Sequence, residues 1–550
     1  MTPVVKKWIL YGGVFVVALT VLGLTSWKMI LGPSPHFHFI DQAQSMMEGR
    51  ADTLTPFRKA KLPELADDPR GLQGAVDRHL ALGGWNDWVS YYVVVLKNGE
   101  VYKGVWPWKF RKPKEKGHDI KNRFVTLSGD WLELQGHKDL AHACVERPTA
   151  PPNSPERLQW EQRDRFDAEY EACMAVAEQL SAAPEAAVNC DYKTQTRVTC
   201  QLKRNFVSFP PGPAVAMMPF VAVWGYDFND VLFTVLLAAL NALLLFVVLR
   251  KFRELGYFDH SNKLLLVIVA AFALGTVNYF VSVRGEVWFT ALVMGVTFNL
   301  LYILFSTHLT HPLLAGVALA AGFATRTPIA FGVAYFGLQW IFQRAGWDRS
   351  GLLLRLRQGV LFAAPILLVG ILLMIYNYVR FASPGEFGHK YLLEGTRASI
   401  VDHGLFSYHF LGRNLAAALT NLPGILSDYP WVKVSGHGLA IWVTSPFLLY
   451  LLWPKREVVD RVSREHFRLP MHALLWITVA CIAIPGLLYQ NSGWFQFGYR
   501  FIMDYLPFLM VLLALDGRRR GPLFYALVSL AILVNLFGAV TFIRFPQFYN

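Results

Sequence analysis

The sequence predicts a mainly α-helical, polytopic transmembrane bundle of about eleven spans, with a mixed α/β extracytoplasmic insertion after the first span. Three observations carry that reading. Hydrophobic residues fill 54% of 550 positions and charged residues only 17%, against about 45–50% and about 25% in soluble domains. Apolar runs recur along most of the chain. The 52 Lys and Arg outnumber the 39 Asp and Glu, and the excess gathers between alternate runs. Such apolar content offsets the entropy of ordering and excludes disorder.

The first element is residues 1–31, a short basic start with Lys6 and Lys7 followed by an apolar stretch that can cross ~30 Å of hydrocarbon. Its exit, Ser26-Trp27-Lys28, lacks a small-residue cleavage site, which predicts a retained anchor. Further runs fall near 229–249, 264–283, 287–307, 311–325, 327–343, 359–378, 438–453, 470–489, 504–515 and 521–541. The runs flanking Thr325-Arg326-Thr327-Pro328 are short for a full crossing. Elements of that kind persist only against protein or around a cavity, because lipid leaves free backbone groups unsatisfied.

Loop charge orients the chain. Basic residues at 6–7, 250–263, 344–357, 455–468 and 518–520 share one side under this count, which the positive-inside bias makes cytoplasmic. The N-terminus is then cytoplasmic, and the large loop and the C-terminus are extracytoplasmic. These segments, with Asp516 beside the last of them, hold 18 Lys and Arg and seven acidic residues, so they carry +11 of the +13 formal charge. Most of the positive charge is a topology signal, and no nucleic-acid partner is expected.

Residues 32–212 read as one extracytoplasmic region, followed by a multi-span domain over 213–550. Helices are expected over 71–82 and 154–182. Strands over 91–96 and 100–105 flank the turn Asn98-Gly99, and further strands are expected over 124–126, 131–134 and 194–202. Four of the five cysteines, Cys144, Cys173, Cys190 and Cys200, lie here, and an even set outside the membrane favours disulfides in one of three connectivities.

Four clusters on the outer side join aromatic and ionisable residues, and ionisable groups beside spans are functional candidates. They are Pro35–Asp41 with Gln44, Glu48 and Arg50; Trp85-Asn86-Asp87-Trp88; Tyr376–Arg380 with Glu386, Phe387, Gly388, His389, Lys390 and Arg397; and Gly493–Arg500 with Trp494, Gln496, Tyr499 and Asp504. A Phe-Gly-(His/Tyr)-(Lys/Arg) pattern occurs twice, at 387–390 and 497–500. Cationic groups beside aromatics suit a ligand with a phosphate head and an apolar or sugar part, because guanidinium forks pair with phosphate. Arg413 lies outside these clusters and is the contrast for Arg500.

The segments at 39–50, 206–214, 325–328, 376–388, Thr444-Ser445-Pro446 and 496–504, with the anchor and large first loop, resemble the GT-C superfamily of lipid-linked-sugar glycosyltransferases, in particular bacterial family 39-like members. The resemblance runs almost end to end. It departs in having His36 and His38 before a lone Asp41, where many members carry an acidic pair, and in a segment at about 106–203 that reads as an insertion. It implies an inverting transfer of sugar from a polyprenyl-phosphate donor to an extracytoplasmic glycan, lipid or protein acceptor, at a bacterial inner membrane. The proton of the attacking hydroxyl needs a carboxylate, Asp41 first and Asp87 second. Arg500, Lys390, Arg380, His389 and Arg326 are candidates for the donor phosphate, and Trp494, Tyr499, Gln496 and Glu386 for the sugar or lipid. His36 and His38, with Asp41, are the conceivable ligands of a divalent metal. A lipid-linked oligosaccharide flippase and a polysaccharide ligase are the competing readings. A flippase needs charge buried across the mid-membrane, whereas the polar residues here gather on one face.

Overall fold

The computed structural model describes residues 3–34, 36, 38–53, 88–106, 122–151, 154, 156–157, 160, 165–183, 188–344, 348–392, 398–452, 457–518 and 520–549. The expected helix over 71–82, together with Trp85, Asn86, Asp87 and Arg397, lies outside the described residues. The chain is mainly helical with a small sheet region.

Its apolar helices are α1 (Pro3–Ser26), α5 (Asp230–Glu254), α6 (Asn262–Leu274), α7 (Val287–Ser306), α8 (Pro312–Thr325), α9 (Val333–Phe342), α10 (Arg349–Phe381), α12 (Met471–Leu488), α13 (Leu506–Leu515) and α14 (Pro522–Thr541). The others used below are α2 (His38–Met47), α3 (Arg165–Ala182), α4 (Gly212–Trp224) and α11 (Leu411–Leu419). Helix starts follow local chemistry. Asn229 accepts the Leu232 N–H at 2.9 Å to cap α5, and Ser261 caps α6 in the same way, each satisfying an orphan donor of the first turn.

Among the described residues six stretches are long and apolar enough to cross a membrane: Val5–Leu31, Asp230–Glu254, Val287–Leu309, Arg349–Phe381, Met471–Leu488 and Pro522–Thr541. The other expected runs form shorter or interrupted apolar helices, for identifiable reasons. The run at 438–453 becomes a four-residue helix, Ile441–Thr444, and a 3₁₀ segment, Pro446–Leu452, because Pro446 interrupts the helical ladder. The run at 264–283 splits into α6 and a short helix, Asn278–Ser282, across Gly275. At Thr325–Pro328 the break appears as expected. Arg326 is extended (φ −150°, ψ 117°), a 3₁₀ turn spans Thr327–Gly332, and α9 resumes at Val333.

The α/β domain is built on seven strands: β1 (Trp88–Val95), β2 (Val101–Val105), β3 (Arg123–Thr126), β4 (Trp131–Glu133), β5 (His142–Glu146), β6 (Gln195–Thr199) and β7 (Gln201–Val207). β4-β3-β2-β1-β7 form one antiparallel sheet, and β5 pairs with β6 in a second. The β1–β2 hairpin turns at Asn98-Gly99 as expected. Gly99 sits at φ +85°, and the Asn98 side chain accepts the Glu100 N–H at 3.1 Å. The expected strand over 194–202 is two strands in different sheets, divided at Cys200. β3, β4 and β7 extend the sheet begun by the β1–β2 hairpin.

Period-two alternation explains the apolar β1. Val89, Tyr91, Val93 and Val95 face α3 and one core, while Tyr92 and Val94 face Trp106, Phe124 and Leu140 on the other side. Two disulfides, Cys144–Cys190 and Cys173–Cys200, close this domain, the second tying α3 to the β6–β7 junction. The C-terminal end of α10 enters the same core. Phe381 packs on Phe206 with centroids 5.2 Å apart, and Arg380 donates to the Val207 carbonyl at 3.1 Å. The buried Tyr91 hydroxyl donates to the Arg380 carbonyl at 3.0 Å, and burial raises its pKa to about 12. The domain is thereby fixed to the helices.

Removing the Cys173–Cys200 bridge frees a 27-residue separation in the unfolded chain. The double variant Cys173→Ser/Cys200→Ser is expected to lose about 2–5 kcal/mol, read as a lower thermal midpoint for near-UV circular dichroism. An unchanged midpoint would show that the helix–sheet contact alone holds α3.

Candidate functional site

A cavity of about 860 Å³ lies where the α/β domain meets the helices. Segments far apart in sequence line it: Ser208, Phe209 and Pro210 after β7; Thr325 to Pro328 at the broken helix; Phe387 and His389; and the loop from Tyr489 to Asp504. Residues 482–486 of α12 and Phe542 at the end of α14 supply apolar wall.

The broken helix positions the first cation. Where α8 stops, the extended backbone turns Arg326 toward the 3₁₀ segment Arg500–Asp504, and its guanidinium makes a bidentate pair with Asp504, Nη2 to Oδ2 at 2.8 Å. The Asp504 carbonyl accepts from Asn299 of α7 at 2.8 Å, so three elements meet at this pair. Arg500 is 5% exposed. Its side chain donates to the Phe495 carbonyl at 3.0 Å, and its guanidinium lies 5.6 Å from the Phe289 ring and 5.8 Å from Phe501. Gln496 holds this loop from within: its amide donates to the His437 and Ser492 carbonyls, and its oxygen accepts the Arg500 N–H at 3.0 Å.

Of the residues expected from sequence, Arg326, Arg500, His389, Trp494, Tyr499 and His36 line the cavity. His36 packs on Trp288 with centroids 4.7 Å apart. Of the other described candidates, Lys390, Arg380, Glu386, Gln496, Asp41 and His38 are not among the lining residues. Lys390 is 66% exposed along its side chain and reaches back to Glu386 at 3.3 Å. Glu386 is buried and accepts the Gly388 N–H at 2.7 Å, which shapes its own turn. That turn needs glycine: Gly388 has φ +98°, and a Cβ there would stand 2.8 Å from the Phe381 ring. Arg380 is spent on Val207 and on Asn377 at 2.8 Å, and it stacks 4.1 Å from the Tyr376 ring, so it acts as a brace between helix and sheet. The two Phe-Gly-(His/Tyr)-(Lys/Arg) stretches therefore meet at one cavity but present different positions to it.

Asp41 is fully buried in the first turn of α2, and its Oδ1 accepts the Tyr226 hydroxyl at 2.6 Å. It does not line the cavity, although His36, just before α2, does. Asp87 lies outside the described residues. Burial, with His36 adding to it, holds His38 neutral by lowering its pKa from 6.5 to about 3. Among the described residues no three His, Cys, Asp or Glu side chains converge to hold a metal ion, so His36, His38 and Asp41 do not form the expected ligand set.

Sequence reasoning missed Arg413, His437, Gln490 and Trp288, all of which line the cavity. Arg413, the intended contrast for Arg500, donates to the Gln490 carbonyl at 2.5 Å, and His437 Nδ1 pairs with the Ser492 hydroxyl at 2.6 Å. Neither sits in a motif. Only their tertiary partners in the 489–496 loop mark them. Burial and then the Arg413 charge lower the His437 pKa.

The site thus joins an aromatic, apolar wall to guanidinium groups and imidazoles. Two stability experiments follow from its geometry. Asp504→Asn leaves Arg326 buried without its carboxylate and is expected to cost about 3–5 kcal/mol in thermal unfolding, much of it recovered in Arg326→Leu/Asp504→Leu; equal losses in both variants would sink this account. For His38 the folded pKa is the lower one. Its stabilisation is complete above 6.5 and fades as pH falls toward about 3, at about 1.4 kcal/mol per pH unit. Denaturant midpoints between neutral and acid pH should flatten in His38→Gln, and a slope identical to wild type would remove His38 as the cause. Comparison with known proteins finds no family model, no curated protein and no solved structure that matches this chain.

Proposed function

We propose that the chain is an inverting membrane glycosyltransferase that moves a sugar from a polyprenyl-phosphate donor to an extracytoplasmic acceptor. The observation that carries the reading is the meeting of 208–210, 325–328, 387–389 and 494–504 at one cavity with a cationic floor and an aromatic wall. A phosphate-headed amphiphile needs both parts at once: guanidinium donors for the head and apolar surface for the tail. Phe331 lines the cavity and is 44% exposed, apolar surface that the tail would cover.

In the proposed reaction the acceptor hydroxyl oxygen attacks the anomeric carbon from the face opposite the leaving group. The bond from that carbon to the phosphate oxygen breaks, and the hydroxyl proton passes to a carboxylate. Asp41, buried behind the cavity-lining His36, is the proposed base, a role that requires the acceptor hydroxyl to reach past His36, and Asp87 is the alternative. Tyr226 donates to Asp41 and so orients its carboxylate. Arg500, with His389 and the Arg326–Asp504 pair beside it, stabilises charge on the departing phosphate. We further propose that α6, α8, α9, α13 and the 441–452 segment complete about eleven crossings alongside the six long stretches. The N-terminus is then cytoplasmic, with the α/β domain and the C-terminus outside an inner membrane, an orientation that the charge asymmetry supports.

The test is transfer of radiolabelled sugar from polyprenyl-phosphate donors by purified protein in proteoliposomes. Wild type is expected to turn over, and Asp41→Asn to fall by about 10²–10⁴-fold while retaining its thermal midpoint. Retained turnover in Asp41→Asn with loss in Asp87→Asn moves the base to Asp87. No transfer from any donor, with donor flipping instead, replaces the enzyme by a transporter.

A further inference from the structure

We propose that the mouth of the cavity is a recognition subsite for a hydroxylated acid, an acidic sugar, built from Arg413, Gln490, His437 and Trp494; this rests on sugar transfer at the same cavity. Arg413 stands on α11 and is exposed while lining the cavity. Its hydrogen bond to the Gln490 carbonyl at 2.5 Å and its place 5.4 Å from the Phe410 ring fix the guanidinium plane. A guanidinium has five N–H donors, so the bond to Gln490 leaves the fork able to take a carboxylate or phosphate in bidentate fashion. Among the described residues no acidic side chain is paired with Arg413.

The second observation is Gln490 itself. It is 2% exposed and lines the cavity, and its side-chain oxygen is buried without a hydrogen-bond partner. A buried amide oxygen in that state is costly unless a donor reaches it, and a ligand hydroxyl is such a donor. Beside it, the Ser492 hydroxyl engages His437 Nδ1 at 2.6 Å, which leaves Nε2 for the ligand. Trp494 completes the subsite as a platform. It is 42% exposed, His437 meets it edge-on at 4.9 Å, and Gly436 packs so closely that an added Cβ would stand 2.5 Å from the indole. One side of the ring is thus backed by main chain while the ring stays accessible to a sugar face. Arg500 is anchored on a different carbonyl of this loop, Phe495, so the two guanidinium groups serve two anionic positions.

The acid belongs either to the transferred sugar or to the acceptor. Binding is measured first, by saturation-transfer difference NMR of the full chain in detergent micelles, with glucuronate and glucose as probes. Glucuronate is expected to bind about tenfold tighter than glucose. Arg413→Gln should erase that preference and Arg413→Lys should keep part of it. Equal binding of the two probes, or a preference that survives Arg413→Gln, overturns the subsite. In the transfer assay the Arg413→Gln penalty should fall on KM for whichever substrate bears the acid, donor or acceptor; a penalty that ignores the acid on both also overturns it. If no donor supports transfer but Arg413-dependent glucuronate binding persists, sugar transfer fails as the function and the subsite stands.

Discussion

The bidentate pair between Arg326 and Asp504 is the interaction on which the architecture of the cavity depends. It joins two places where the backbone stops being α-helical, the extended residue after α8 and the 3₁₀ segment Arg500–Asp504. In hydrocarbon a broken helix leaves carbonyls and amides without partners, so breaks persist only where protein or a cavity meets them. Here Asn299 of α7 covers the Asp504 carbonyl, and the paired charges neutralise one another as they leave water. The cost of the breaks is offset by what they create. Side chains that would otherwise point outward from two separate elements turn toward a shared space.

Around that pair the remaining polar groups divide by what holds them. Arg380, Glu386 and Gln496 are consumed by backbone partners and keep the walls in place. Arg500 and Arg413 each rest on a carbonyl of the 489–500 loop, so that loop sets the spacing of cations at the cavity. The α/β domain contributes its own edge through Ser208 and Phe209, and it is held against the helices because the end of α10 is part of its core. Domain, broken helix and loop therefore form a single support for the site.

Much of this was legible from residue order. The Asn98-Gly99 hairpin, the break at Thr325–Pro328 and the closing of the domain by its four cysteines follow from turn chemistry, proline geometry and cysteine parity. Long apolar helices followed from composition. The interruption inside the run at 438–453 did not, because that run has the composition of one continuous span while Pro446 divides it into a four-residue helix and a 3₁₀ segment. Division of 194–202 between two sheets was equally hidden, since both strands read as one β-rich run.

For the site, the sequence by itself determined which segments carry charge beside aromatics, and three of those four segments line the cavity. It also determined where helices had to stop, because proline and glycine act on their immediate neighbours. Tertiary structure alone decided which charges face inward. Lys390 and His389 are adjacent, yet one points to solvent and the other to the cavity, because the Gly388 turn rotates successive side chains apart. Arg413 belonged to no motif and entered the site through the Gln490 carbonyl, a contact between residues 77 positions apart. Local chemistry is written in order along the chain, whereas the direction of a side chain depends on partners that only folding brings near.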